Sequence, residues 1–308
     1  MGYMNYKVKV DVSSIYELMA SFMVYTSKKW TDNMDMGPQW LHTVNNQLSV
    51  SVRNALAPAS SWPFDDFDVL YAWAILRQTG DEVEPFLEHL TQCSDDSLFE
   101  IISPYIPTLS MDDARRIRND YVPLLKLWYI HYFKEVEGDI KPLIEEDALE
   151  KRSLLTKMDP EKLIEYASAG IVVEDLTDIE TVILFPTVHN RPINIFCFYT
   201  HMLLIQYPID VPEDHEDEPP MCLTRMTHAL SDLNRLRLLR YVADQPKSLT
   251  EMQRDLNQPV ETLKHHLMIL RVAGFLRIHL GNHDNEKFSI RPDGVAELQI
   301  FLESYIHL

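Results

Sequence analysis

Residues 208–220 read PIDVPEDHEDEPP, with four prolines, six carboxylates and no lysine or arginine. Such a segment cannot bury apolar surface, and its repelling charges keep it extended. No core is expected to run through it. The chain is therefore expected to divide into an N-terminal domain over 1–207, an acidic Pro-rich linker over 208–220 and a C-terminal domain over 221–308. A length of 308 residues with 46% hydrophobic content gives both parts enough material for a core.

Net charge sharpens that division. The chain has 28 Lys and Arg against 47 Asp and Glu, a formal −19 that would ordinarily count against a nucleic-acid partner. Residues 221–308 hold eleven of the basic and ten of the acidic residues, giving +1, so residues 1–220 carry −20. Any contact with nucleic acid is expected in the last 88 residues, with the acidic part held off the duplex.

Glycine is scarce. The closest pair of the eight, Gly274 and Gly281, is seven residues apart, so GxGxxG, GxxxxGK and GxSxG are all excluded. The cysteines Cys93, Cys197 and Cys222 form no CxxC, and no HExxH or EF-hand loop occurs. No cofactor, no metal and no enzymatic activity are expected. The most apolar stretch, Ile195 to Ile205, is too short to span a bilayer, and MGYMNYKVKV has no signal-peptide core. With no disulfide framework, a cytoplasmic protein without a membrane partner is expected.

The N-terminal part opens with YKVKVDV, where Tyr6, Val8, Val10 and Val12 alternate with polar residues as in a half-buried strand. Ser14 and Glu17 have the spacing of a capping box for a helix reaching about Trp30. Helical periodicity continues over 38–56, 66–78, 82–92, 111–137 and 141–168, with Pro123 expected to kink its helix. From Ile179 to Tyr207 the runs TVILF, NIFCFY and MLLIQY predict a small β-meander packed on helices. The expected class is α+β, mainly helical.

Asp65, Asp66 and Asp68 fit the acidic first turn of a helix better than a catalytic pair. Trp128, Tyr129 and Tyr132 lie on one helical stripe that could line an apolar effector pocket with polar handles, or simply form core. His189, Arg191 and His201 flank the β-rich runs and are the polar candidates for the same small-molecule effector site.

Residues 221–308 read as helix, helix, helix–turn–helix, hairpin, helix. Leu223, Met226, Leu230 and Leu233 stripe the first helix, and Asp232 can cap the next. Ser248 and Glu251 form a capping box for SLTEMQRDL, and Pro259 opens a helix that Gly274 ends. In that helix Leu263, Leu267 and Leu270 form the buried stripe. Glu261, Thr262, Lys264, His265, Met268 and Arg271 are expected on or near the open face, the geometry that suits a major groove. His266 is expected to pack. FLRIHL and KFSIRP around GNHDNE predict a hairpin, and Val295, Leu298, Phe301, Leu302 and Tyr305 stripe the closing helix.

The stretch SLTEMQRDLNQPVETLKHHLMILRVAGFL, preceded by LSDLNRLRLLRYV, resembles the winged helix–turn–helix of the ArsR family of bacterial transcriptional repressors. The resemblance implies a homodimer joined through the first and last helices of the segment. It also implies a palindromic DNA operator read by the second helix of the pair, with wings in the flanking minor groove. Thr262, Lys264, His265, Met268 and Arg271 are then the expected groove contacts. Arg277, His279, Asn282, His283 and Lys287 are the expected wing contacts. The family's metalloid sensors carry two cysteines in the helix that here reads EMQRDL, and its zinc sensors carry ligands along a last helix that here offers only Asp293 and His307. Metal sensing by either route is not expected. The expectation is a DNA-binding repressor whose N-terminal domain senses an effector. The rival is a protein–protein module in which the winged helix reads no DNA.

Overall fold

The computed structural model describes residues 6–174, 176–211, 218–281 and 286–307. Most of the expected linker (212–217) and the tip of the expected wing (282–285) lie outside the described residues. In chain order the elements are β1 (Lys7–Val10), α1 (Ser14–Ser27), α2 (Gly37–Gln47), α3 (Val50–Leu56), α4 (Asp66–Ile75), α5 (Val83–Gln92), α6 (Asp95–Ile102), α7 (Met111–Arg116), α8 (Val122–Trp128) and α9 (Lys134–Leu154). There follow α10 (Pro160–Ala167), β2 (Ile171–Val173), β3 (Thr181–Thr187), β4 (Ile195–Tyr199) and β5 (Met202–Pro208). The chain closes with α11 (Met221–Leu230), α12 (Leu233–Tyr241), β6 (Lys247–Ser248), α13 (Leu249–Leu256), α14 (Val260–Val272), β7 (Leu276–Leu280), β8 (Lys287–Ile290) and α15 (Asp293–Tyr305). The class is α+β, mainly helical.

Two compact units result, and their boundary differs from the expected one. The first combines Met1–Thr156 with Asp178–Ile209; the second combines Lys157–Thr177 with Asp210–Leu308. Residues 157–177 thus leave the N-terminal part and join the C-terminal fold. Pro208 ends β5, and the Ile209 N–H donates to the Thr187 carbonyl, so the first two residues of the expected linker belong to a strand and its continuation.

In the first unit α1 is the central helix. SIYELMASFMVYT is apolar almost all round, and every residue from Ser14 to Thr26 is buried. Its N-cap is Ser13, whose hydroxyl accepts from the Ile15 N–H; the expected Ser14–Glu17 capping box does not form. The helical path from Met111 to Leu154 is continuous, with π-type turns at Ile117–Tyr121 and Tyr129–Phe133. Pro123 enters α8 directly after the first of these, where the ladder is already rearranged around its missing N–H.

The sheet of this unit has the order β1-β3-β5-β4, with β1 and β5 parallel to β3 and β4 antiparallel to β5. It is not the expected meander, because β5 lies between β3 and β4. The reason is visible in the side chains: MLLIQY is buried at every position and suits an interior strand. β4 instead exposes Phe198 and suits an edge.

In the second unit the sheet order is β2-β7-β8-β6, with β2 parallel to β7 at one edge. β2 comes from the 157–177 strap, and Ile171 lies opposite Ile278. Gly170 makes the approach possible: its φ is +119°, and a Cβ there would stand 2.9 Å from the Leu276 carbonyl oxygen. The helices α11–α14 enclose a separate apolar core built on Met226, Leu238, Met252, Leu263, Leu267 and Leu270.

Candidate nucleic-acid interface

Ser248 and Glu251 form the expected capping box. The Ser248 hydroxyl accepts from the Glu251 N–H at 3.3 Å, and the Glu251 carboxylate accepts from the Ser248 N–H at 2.8 Å. That fixes the start of α13, and Met252 anchors it in the core. Asn257 ends the helix in the left-handed region (φ 49°, ψ 43°), a conformation asparagine tolerates better than most residues. Pro259, extended, launches α14. Three residues therefore separate two helices, the geometry of a helix–turn–helix.

Along α14, Leu263, His266, Leu267, Ile269 and Leu270 face inward. Glu261, Thr262, Lys264 and His265 are exposed, and Met268 is half-buried. This is the polar face the sequence predicts, apart from Arg271. The His266 ring is buried as expected, and burial lowers its pKa, Asp232 acting in the opposite sense. Lys264 makes an exposed ion pair with Glu261 at 3.2 Å, worth little in water and open to exchange for phosphate.

Arg271, Arg277 and His279 require correction: the strap claims all three. Arg271 donates to the carbonyls of Ala169 (2.8 Å) and Ser168 (2.9 Å), and burial, with Arg291 nearby, lowers its pKa to about 10. Arg277 donates to Glu165 at 2.5 Å. His279 bonds Glu174 through Nδ1 (2.6 Å) and Ser289 through Nε2 (2.8 Å), and is buried. These side chains hold α10 and β2 to the wing sheet. Lys287 is half-buried on β8, opposite His279 in the register. Asn282 and His283 lie outside the described residues.

The expected apolar stripes also divide. Leu223 and Met226 of α11 are buried, Met226 in the core of its own unit, while Leu233 belongs to α12 and is exposed. Asp232 caps α12 as expected, accepting from the N–H groups of Asn234 and Arg235. On α15, Leu298 and Phe301 pack inward, whereas Val295 and Leu302 stand 62% and 43% exposed, as does the C-cap residue Ile306 at 48%. Arg235, unnoticed in the sequence, is buried and donates to the Ala229 and His228 carbonyls, closing the C-terminus of α11.

In the first unit the expected effector residues come together only in part. Trp128 packs between Tyr25 and Tyr132 at centroid distances of 4.6 and 4.5 Å with its neighbours tilted, so these rings fill the space they were expected to line. Tyr129 packs near Phe133 and reaches Glu84 at 3.4 Å. Trp40 Nε1 donates to the Tyr132 hydroxyl (3.0 Å), which lies 2.9 Å from His189 Nε2. His189 Nδ1 lies 2.5 Å from Glu17, and both side chains are fully buried. Burial pushes the Glu17 carboxyl up, but bonds from His189 and from the Val188 N–H outweigh it, and its pKa is lowered on balance. Arg191 faces Asp35, and His201, exposed in the β4–β5 turn, bonds the Asp178 carbonyl; neither joins the cluster. Asp66 is held by Arg116 in a two-pronged ion pair, a structural role.

Together these features define a winged helix–turn–helix fold in the second unit. A family model described as a helix-turn-helix domain matches residues 230–279, from the end of α11 to β7. No curated protein matches the chain, and no solved structure does. The match points to a DNA-binding regulator. Among the described residues no helix is long and apolar enough to cross a membrane, and no three His, Cys, Asp or Glu side chains are grouped to hold a metal ion.

Proposed function

We propose that the chain is a DNA-binding transcriptional repressor of the ArsR-like type. It binds a palindromic operator as a homodimer and answers to a small-molecule effector at its N-terminal unit. The observation that carries this reading is α14: a helix set by a tight turn, with Thr262, Lys264 and His265 exposed on the face turned from the core. The apolar outer face of α15, with Val295 and Leu302 and the C-cap residue Ile306 beyond them, supports the homodimer, since two-fold sites need two readers. Effector control has a covalent route. The chain enters the winged-helix unit at 157 and leaves it at 177, so a change of state in the first unit pulls on β2, which is paired with wing strand β7.

The test is a gel shift of the full chain against genomic fragments it has selected. Lys264→Ala combined with His265→Ala should abolish selective binding while the circular dichroism spectrum stays that of the parent. Unchanged selectivity would remove α14 as the reader. A protein–protein role is the second reading. It draws on the neutralisation of local cations, Lys264 by Glu261 and Arg254 by Asp255. A chain that shows no salt-dependent affinity for any duplex would favour it.

A further inference from the structure

The winged-helix unit is short of available positive charge. Counting the strap and residues 210–220, it holds thirteen Lys and Arg against twenty-one Asp and Glu, a formal −8 rather than the +1 of residues 221–308 alone. Seven of the thirteen are already engaged, five of them in ion pairs: Lys162 with Asp159, Arg254 with Asp255, Lys264 with Glu261, Arg277 with Glu165 and Arg291 with Glu297. Arg235 and Arg271 close on backbone carbonyls. Neutralising phosphate charge is the main source of sequence-independent DNA affinity, so it must come from another part of the unit.

One place supplies it. An open groove of about 420 Å³ is lined by Arg237, Arg240, Tyr241, Asp244, Gln245 and Lys247. Arg237 and Arg240 are exposed, lie three residues apart on α12, and make no ion pair among the described residues. Lys247 stands on the edge strand β6 with its ammonium 5.6 Å from the Tyr241 ring centre. Tyr241 is itself fixed by a 2.7 Å bond to Asp255 of α13. Three cations thus converge beside the N-terminus of the helix pair, against a single lining carboxylate.

We propose that this groove is a phosphate-binding site that takes the phosphodiester backbone of the DNA duplex and anchors it while α14 reads the bases. The arginines present planar donor forks suited to phosphate oxygens, and Gln245 adds an amide donor. The groove supplies affinity without sequence preference, whereas α14 supplies preference with little charge. This assignment rests on the DNA-binding reading of the unit.

The experiment measures full-chain affinity for a selected and a scrambled duplex between about 50 and 200 mM salt, where each neutralised phosphate adds roughly 0.9 to the logarithmic salt slope. The Arg237→Ala, Arg240→Ala, Lys247→Ala triple variant should bind both duplexes about 10- to 100-fold more weakly, with a slope shallower by about two to three. Its ratio of selected to scrambled affinity should stay that of the parent. The Lys264→Ala, His265→Ala variant should do the reverse, losing the ratio while keeping most of the slope. Parent-like slope and affinity in the triple variant would overturn the groove assignment and leave the DNA reading standing; a parent chain with no affinity for any duplex would overturn both. A third arm titrates inorganic tripolyphosphate by calorimetry. Binding that is lost in the triple variant while duplex affinity is unchanged would overturn the backbone assignment in favour of a phosphorylated small molecule.

Discussion

Glu17 shows how a single residue can be drawn away from its local role. Its carboxylate accepts the N–H groups of Val188 and His189 and faces His189 Nδ1 in a site with no water access. A neutral amide in its place could not match three donors, and Glu17→Gln should cost the first unit about 3 kcal/mol in a urea titration. The pH dependence has a definite sign. The folded-state pKa lies below its ordinary value of 4.5, so the contribution is complete above that value. As pH falls the unfolded chain takes the proton first, and the stability is lost through the acid range. A Glu17→Gln chain should therefore show a flatter stability curve below about pH 5 than its parent. The sequence could not reveal this role, because the spacing to Ser14 imitates a capping box while the true partner is 172 residues away. Ser248 and Glu251 carry the same local signal and form the box, since among the described residues no distant donor reaches Glu251.

At the level of elements, the readable ones were those whose signals are local. The capping box of α13, the left-handed Asn257 and the proline before α14 all act within a few residues, and the helix pair follows from them. The pairing of β5 between β3 and β4 depends on contacts across the sheet, as does the recruitment of β2 to the wing. Alternation and turn residues do not encode either. The strap also explains why positive residues after α14 resemble DNA contacts in the sequence yet turn inward in the fold. Arg277→Ala should lower the melting temperature of the chain, through loss of a half-exposed pair worth about 1 kcal/mol, while leaving the salt slope of DNA binding at its parent value. A drop in that slope by about one would return Arg277 to the interface.

For the whole molecule, the charge that first argues against DNA is spread over both units, −11 on the first and −8 on the second. Affinity for a duplex then depends on where a few cations are left unpaired and, in the proposed homodimer, on two copies acting together. The outer face of α15 bears Val295 and Leu302 seven residues apart, on the same side of the helix. Glutamate at both positions should yield a monomer in sedimentation at micromolar concentration, with unchanged helical content and an operator affinity at least about tenfold weaker. A dimer that survives the double substitution would move the interface elsewhere.

The strap has a consequence for how such a protein can be cut and recombined. The polypeptide passes between its two units three times, at 156–157, 177–178 and 209–210. A fragment beginning at 221 would carry β7 with a bare edge and leave Arg271, Arg277 and His279 without the groups that neutralise or cap them. The winged helix is therefore not a portable cassette: no single crossover can transplant it, and an inheritable exchange must carry the strap along or replace its strand.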